Sequence, residues 1–386
     1  MECLRGKSLS HGPLYIRKPE RDATLPKILI AVLFLAAGFG LRYYARHMEG
    51  FADTYASVMN PFWLKTVGKV TGLVNFSVVE ILIYLIILIL FFHILSIIGA
   101  YRVKDSDRHK RFAGFITNLL ILGTFIFLLY EAGEDVYFYR TPFSEANGFG
   151  SGSYSTTDLI KVCRYLAREC NELADQVERD EDGLMITASD VELRVPETMA
   201  RLGRRYPMLA GEYYQPKPIF ISYLMSKTGM AGIYSAYTVE ANYNRDMTDY
   251  NKPFTMSHEL THTHGILQEN EANFVAYLNC MNTNQSDIRY AGALSGWVYC
   301  GNELYKRNRD LWAILAGSLD PRVQADLAAN NAFWKKYKGV VSKGAQSFND
   351  SFLKNHGQTM GTDSYDQVVD LIVSYEMSRS GAKQKE

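Results

Sequence analysis

Three apolar segments in the first third of the chain constrain its fold more than any other feature. They run from Ile28 to Leu41, from Ile81 to Ala100 and from Phe112 to Tyr130. A helix of roughly 20 mostly apolar residues can cross the hydrocarbon core of a bilayer. The first segment is shorter, but the charged ends of Lys27 and Arg42 can reach the headgroups from either side of it. The sequence therefore predicts three transmembrane helices, and with them a lipid bilayer as a partner.

Basic residues beside these segments predict their orientation, because short loops rich in Lys and Arg stay in the cytoplasm. Such residues are concentrated in the N-terminal tail and in the loop between the second and third segments: Arg5, Lys7, Arg17, Lys18, Arg21 and Lys27, then Arg102, Lys104, Arg108, Lys110 and Arg111. We expect an integral protein of the cytoplasmic membrane with its N-terminus in the cytoplasm. Everything after Tyr130 is then extracytoplasmic.

This topology divides the chain into four parts. Residues 1–27 form a cytoplasmic tail and residues 28–130 the membrane domain. The glycine-rich NGFGSGS predicts that residues 131–154 are a linker. Residues 155–386 remain, a length typical of one globular domain. The chain has 41 basic and 41 acidic residues, so its net charge gives no indication of a nucleic-acid partner.

Periodicity within the last part predicts an α+β domain. Apolar residues recur at helical spacing from Ser155 to Val177, and a second helix around residues 190–207 is expected to break at Pro196. Residues 217–244 contain short β-branched and aromatic runs between glycines, which favours a small sheet. After Pro253 the pattern is helical almost to the end. We therefore predict a mostly helical domain with a small sheet.

The motif that carries chemistry is HELTH, His258 to His262, which has the form HExxH. Side chains four apart share one face of a helix, so both imidazoles can bind one zinc ion. Glu259 can then act as the catalytic base toward a water molecule on the metal. His264 is off this face if the helix continues, and we expect it to lie at the helix end or the rim of a cleft.

A catalytic zinc site needs a third protein ligand, and two glutamates compete for the position. Glu269 shares a small, polar helix face with Asn273, which is placed to hydrogen-bond a ligand histidine from behind. Glu271 instead lies on an apolar stripe with Phe274 that suits a core. We predict Glu269 as the ligand and keep Glu271 as the alternative.

Substrate contacts are harder to place. The segment Thr238 to Arg245 is a candidate edge strand that pairs with an extended peptide, which makes Glu240 and Asn242 candidate substrate-binding residues. An ordinary strand within the sheet is the competing interpretation. Stabilisation of the oxyanion calls for a placed donor. The candidates are Tyr234, Tyr237, Arg289 and Tyr290.

The motif HELTH followed by Glu269, Ala272 and Asn273 resembles the gluzincin-type zinc peptidases, in which a glutamate on a second helix is the third ligand. The whole chain also resembles a family of uncharacterised bacterial membrane proteins with three N-terminal spans, a KPIFIS strand, EANYN, and PF before HELTH. The resemblance implies a zincin-like extracytoplasmic domain in which His258 and His262 bind Zn²⁺ and Glu259 is the base.

These observations favour a membrane-anchored zinc metallopeptidase that hydrolyses peptide bonds in a peptide or protein substrate. The alternative is a non-catalytic membrane sensor or scaffold that holds zinc for structure. A transporter is disfavoured, because the spans carry few charges that could form a polar pathway.

Overall fold

The computed structural model describes residues 24–150, 154–355 and 365–383. Within them the chain is mostly helical and contains one three-stranded sheet. The helices of the first part are α1 (Thr24–His47), α2 (Phe51–Trp63), α3 (Lys69–Thr71), α4 (Val78–Arg102), α5 (Arg108–Gly133) and α6 (Phe143–Ala146). Those of the second part are α7 (Thr156–Ala174), α8 (Val191–Gly203), α9 (Ser222–Thr228), α10 (Asn251–Thr263), α11 (Glu269–Met281), α12 (Ser286–Arg307), α13 (Arg309–Gly317), α14 (Pro321–Tyr337), α15 (Val340–Asn355) and α16 (Tyr365–Lys383). The strands are β1 (Lys217–Pro218), β2 (Gly232–Ser235) and β3 (Glu240–Tyr243).

All three apolar segments form helices. The helices α1, α4 and α5 are long and apolar enough to cross a membrane, which indicates a membrane protein. Aromatic rings join α1 to α5, with Phe39 and Phe127 centroids 5.0 Å apart. At the end of this pair Arg42 forms an ion pair with the buried carboxylate of Glu131.

The segment between α1 and α4 is helical, which the sequence pattern did not reveal. A π-helical turn, Leu64–Gly68, joins α2 to α3. Ala52 and Ala56 are buried on one side of this segment, as are Leu64 and Gly68. A Cβ atom on Gly68 would lie 3.0 Å from the ring of Tyr214, so this face packs closely on the globular part.

The segment predicted as a linker is largely folded. A 3₁₀ helix, Asp135–Tyr139, follows α5, and its residues Val136 and Tyr137 are buried. Phe143, in α6, is buried in the main core. The chain therefore passes from the third apolar helix into the globular part without an extended connection over residues 131–146.

The core is built around α11, which is buried on nearly every side and is flanked by α10, α12 and α16. Ser155 and Asp158 form a capping box that starts α7. The four described cysteines are free and buried. The predicted break at Pro196 is wrong, because α8 continues through this residue.

The predicted small sheet is present, with the order β1-β3-β2. Strand β3 pairs in parallel with β1 and antiparallel with β2. The prediction that the segment around Glu240 and Asn242 is an edge strand is therefore wrong, because β3 lies in the middle. The pairing of β1 with β3 joins residues that are far apart in the sequence, so the local pattern around β3 could not show that both of its sides are paired. Both side chains are buried.

Glu240 instead joins the sheet to the second apolar helix. Its carboxylate forms a buried ion pair with Lys217. It also accepts hydrogen bonds from the backbone N–H groups of Val78 and Val79, at 3.0 and 2.9 Å. A carboxylate at a helix N-terminus satisfies free N–H groups and complements the helix dipole. The sheet therefore holds the start of α4.

Candidate metal centre

The helix α10 carries the HExxH motif and ends in a tight turn that brings α11 back beside it. Gly265 adopts φ +70°, the left-handed region that favours glycine after a helix. A Cβ here would lie 2.4 Å from the Tyr137 ring. Arg140 donates hydrogen bonds to the carbonyls of His264 and Gly265, at 2.9 and 2.8 Å. This turn and its cap position Glu269 opposite the two histidines of the motif.

The described residues contain one group of three metal-binding side chains with mutually close donor atoms: His258, His262 and Glu269. The two histidine Nε2 atoms are 3.0 Å apart. Glu269 places one carboxylate oxygen 3.3 Å from Nε2 of His258 and the other 3.8 Å from Nε2 of His262. Tetrahedral zinc with bonds of about 2.0–2.2 Å separates its ligand atoms by roughly 3.3 Å. The three donors therefore fit a zinc ion.

Hydrogen bonds behind the imidazoles direct their Nε2 atoms to this point. Nδ1 of His262 lies 2.8 Å from the carbonyl oxygen of Ile266, which can only accept, so the nitrogen carries the proton. Nδ1 of His258 lies 2.9 Å from Oδ1 of Asn273. Tyr299 donates to the same oxygen at 3.1 Å. Such contacts fix the tautomer of ligand histidines in metal sites.

The Nε2 atoms of His258 and His262 would repel each other at 3.0 Å if both carried a lone pair there, so a proton or a cation must lie between them. Burial alone would lower the pKa of His258, but the hydrogen bond and charge of Glu269 outweigh it and raise the pKa to about 9. Burial and the charge of His258 lower the pKa of His262 to about 4. Burial opposes ionisation of Glu269, yet His258 holds its pKa below the ordinary value. In the protein alone, His258 therefore holds a proton where a cation fits.

Glu259 is buried beside this group. Burial raises its pKa to about 8, with the charge of His258 acting against the shift and that of Glu269 adding to it. No residue in the described part of the chain donates a hydrogen bond to its carboxylate. Gly232, the first residue of β2, lies against it, and a Cβ there would be 2.3 Å from Oε1. Glu259 is 5 % exposed, and a largely buried carboxylate with a raised pKa beside metal-binding side chains points to a chemical use.

Most of the chain matches one known protein family. Residues 55–373 match the family described as "Protein of unknown function (DUF3810)". The chain belongs to the DUF3810 family. Neither the curated proteins nor the solved structures contain a match. The matched region of this DUF3810 chain begins within α2 and ends within α16, so it includes two of the apolar helices together with the sheet and the metal-binding group.

Glu271 lies away from the three donors, although it is only two residues from Glu269. Its carboxylate accepts hydrogen bonds from the backbone N–H and the hydroxyl of Ser144, both at 2.8 Å. Burial raises its pKa, and Ser144 opposes the shift. In the structure this DUF3810 glutamate joins α11 to α6, while Glu269 faces His258 and His262.

The other sequence candidates are also distributed away from the donors. His264 ends α10, as expected, but is fully buried rather than at a cleft rim, with its ring stacked 3.9 Å from that of Tyr213. Arg289 is paired with Glu169, and Tyr290 donates to Asp326. Tyr234 lies closer, its ring 6.2 Å from that of His262, but its hydroxyl is directed to the carbonyl of Gly133.

Sequence reasoning missed the Ile266 carbonyl as a partner of His262, and Tyr299 as a partner of Asn273. Tyr299 is on α12, far along the chain from the motif, and no local pattern links it to Asn273. The contact of His262 with the carbonyl of Ile266 could have been predicted, because the turn expected at Gly265 returns the chain toward His262.

Proposed function

We propose that this DUF3810 protein is a membrane-anchored zinc metallopeptidase whose zincin-like domain lies on the outer side of the membrane. The observation that carries the proposal is the arrangement of the His258, His262 and Glu269 donor atoms, which are separated from one another by the distances expected between ligands of one zinc ion. The carboxylate of Glu259 lies beside them. A purely structural role for zinc gives no reason to keep that buried acid.

The chain's own residues divide the chemistry between them. When bound, a zinc ion supplies Lewis acidity and lowers the pKa of a water molecule in its open position. Glu259 takes the proton of the attacking water and then delivers it to the leaving amine. Asn273 and the carbonyl of Ile266 keep the two imidazoles oriented. Gly232 leaves the space that the Glu259 carboxylate occupies.

The free edge of β2 is the surface that we propose for a peptide substrate. In the described sheet β2 pairs with β3 on one side only, and it begins at Gly232, beside Glu259. An extended peptide can add to such an edge through main-chain hydrogen bonds. This role replaces the one predicted for Glu240 and Asn242.

The position of β2 also favours a cleavage site close to the bilayer. A Cβ on Gly133, the last residue of α5, would lie 3.1 Å from Ala236, just after β2. Four strand residues span roughly 13 Å, so Glu259 is about that far from the end of the third apolar helix. We propose that the substrate is a peptide or protein held at the membrane.

The experiment combines metal content and hydrolysis on the full-length protein in lipid nanodiscs. We expect about one zinc per chain and cleavage of a library of membrane-tethered peptides. Glu259→Gln is expected to keep the zinc and to lose hydrolysis, whereas His258→Ala loses both. A folded wild-type protein that holds no zinc would refute the metal site. Zinc binding with no cleavage, and a cellular phenotype unaffected by Glu259→Gln, would support the non-catalytic scaffold instead.

A further inference from the structure

The order of the apolar helices places two parts of the chain on one side of the membrane. If α1 and α4 cross in turn, residues 48–77 between them share a side with everything after α5. Contacts agree with this placement. Tyr55 donates to the carbonyl of Ala132 at 2.8 Å, and Thr71 donates to the carbonyl of Thr238 at 2.9 Å.

The segment from α2 to α3 has one face against the globular part and an opposite face that is uncovered. Val58 and Phe62 lie on the uncovered face, and Leu73, in the turn just after α3, is 79 % exposed. Lys65 and Lys69 fall on the same helical stripe and are also exposed. Apolar residues interleaved with lysines are typical of helices that lie in a membrane interface.

A second uncovered apolar group lies at the start of α4. The backbone N–H groups of Phe220 and Ile221 donate to the carboxylate of Glu80, in the first turn of α4, at 2.8 and 2.9 Å. The Phe220 side chain is nevertheless 70 % exposed, and Leu224 on α9 is also exposed. The guanidinium of Arg245 lies 5.1 Å from the centre of the Phe220 ring.

A third group lies on α15, which meets the ends of the other two apolar helices. The ring of Phe352 packs 6.3 Å from that of Tyr130, at the end of the apolar run of α5. Arg46 of α1 donates to the carbonyl of Asn355 at 3.5 Å. Phe348, one turn before Phe352 on the same side of α15, is 74 % exposed.

We propose that these three groups form one membrane seat, a surface that inserts into the interface of the leaflet on the domain's side. The seat consists of Val58, Phe62, Leu73, Phe220, Leu224 and Phe348. Its occupant is the bilayer, because the three groups adjoin the ends of all three membrane-crossing helices. Exposed Lys65 and Lys69, which alternate with its apolar residues, and Arg245, beside Phe220, suit lipid phosphates because their long side chains can reach the headgroups. The seat rests on the three helices crossing the membrane and does not depend on the metal centre.

Depth-dependent fluorescence quenching tests the seat in full-length protein reconstituted in nanodiscs. Single labelling sites are made by Leu73→Cys, Leu224→Cys and Phe348→Cys in a Cys3→Ser background, since the four described cysteines are buried. Ile314→Cys is the matched control, because Ile314 is apolar and 66 % exposed on α13 but outside the seat. Each site carries a small environment-sensitive fluorophore.

We expect lipids with a nitroxide on the upper acyl chain to quench more than half of the emission at the three seat positions and little of it at Ile314. Aqueous iodide should show the reverse order. Iodide quenching at the seat as strong as at Ile314 would overturn the proposal. Protection from both quenchers would also overturn it, because a protein partner or a second copy would then cover the surface.

Discussion

Oδ1 of Asn273 lies 2.9 Å from Nδ1 of His258 and joins the two helices of the candidate metal centre. Removing such a partner of a ligand histidine typically weakens metal binding by about 10–100-fold. We expect Asn273→Ala to lower zinc affinity by this factor, measured by competition with a chelator. Asn279→Ala is the control on the same helix, since Asn279 donates to Ser257 instead. Equal loss of affinity in both variants would contradict a specific role for Asn273.

The two glutamates at the start of α11 should respond differently to the same substitution. Glu269→Gln is expected to abolish zinc binding, because it removes an anionic donor from the group. Glu271→Gln should retain zinc but lose about 1–3 kcal/mol of stability, because the hydrogen bonds from Ser144 are impaired. Metal content after dialysis and the thermal midpoint separate the two effects. Zinc loss only in Glu271→Gln would make Glu271 the ligand.

Zinc binding should release protons with a predictable stoichiometry at pH 7. His258, with a pKa of about 9, is protonated there, whereas His262, with a pKa of about 4, is neutral. The metal displaces the proton of His258, so affinity rises with pH until about 9. Glu259, whose pKa is about 8, is also mostly protonated at pH 7. The positive charge of the metal favours its ionised form, so the wild type should release part of a second proton from this residue.

Calorimetric titration of zinc into the protein in buffers of different ionisation enthalpy measures this release. Glu259→Gln should release about one proton, less than the wild type. No net release at pH 7 would mean that His258 is neutral before the metal binds.

Gly232→Ala tests the close approach of β2 to Glu259. A Cβ at this position would lie 2.3 Å from the Glu259 carboxylate, which must shift. A displacement of about 1 Å in a catalytic group can cost 10²-fold in rate. We expect a loss of that order in kcat with zinc content unchanged. Gly301→Ala is the control, because a Cβ there meets nothing closer than 3.6 Å. Full activity of Gly232→Ala would remove Glu259 from the role of base.

Replacing only one partner of the buried ion pair between Lys217 and Glu240 should lower the stability of the fold strongly. Removing one partner of a buried ion pair leaves an uncompensated charge and costs about 3–5 kcal/mol. Lys217→Met and Glu240→Gln are each expected to lower the thermal midpoint strongly, and the double variant to lower it by less than the sum. Additive effects would show that the two charges do not stabilise each other.

Much of the side-chain arrangement in the candidate metal centre could be predicted from the sequence, because it depends on local geometry. Spacing along a helix brings His258 and His262 to one face, and spacing along the next helix brings Glu269 and Asn273 to another. The contact between Asn273 and Tyr299 depends on how α12 packs, which no local pattern encodes.

The sheet and the helices α2 and α3 show the same limit. The order β1-β3-β2 joins residues 217 and 242 across an intervening helix, so the edge strand could not be identified locally. The uncovered side of the segment from α2 to α3 carries the apolar Val58 and Phe62 together with Lys65 and Lys69, while the other side packs on protein. The apolar residues on the uncovered side weaken the contrast between faces by which an amphipathic helix is usually recognised.

The folded connection after α5 limits how this protein can be divided. Arg140 closes the end of the motif helix, Ser144 holds Glu271, and Phe143 belongs to the main core. A truncation that starts at residue 155 would discard all three. A fragment meant to keep the globular part intact must therefore begin before Asp135 and include the whole connection that follows α5.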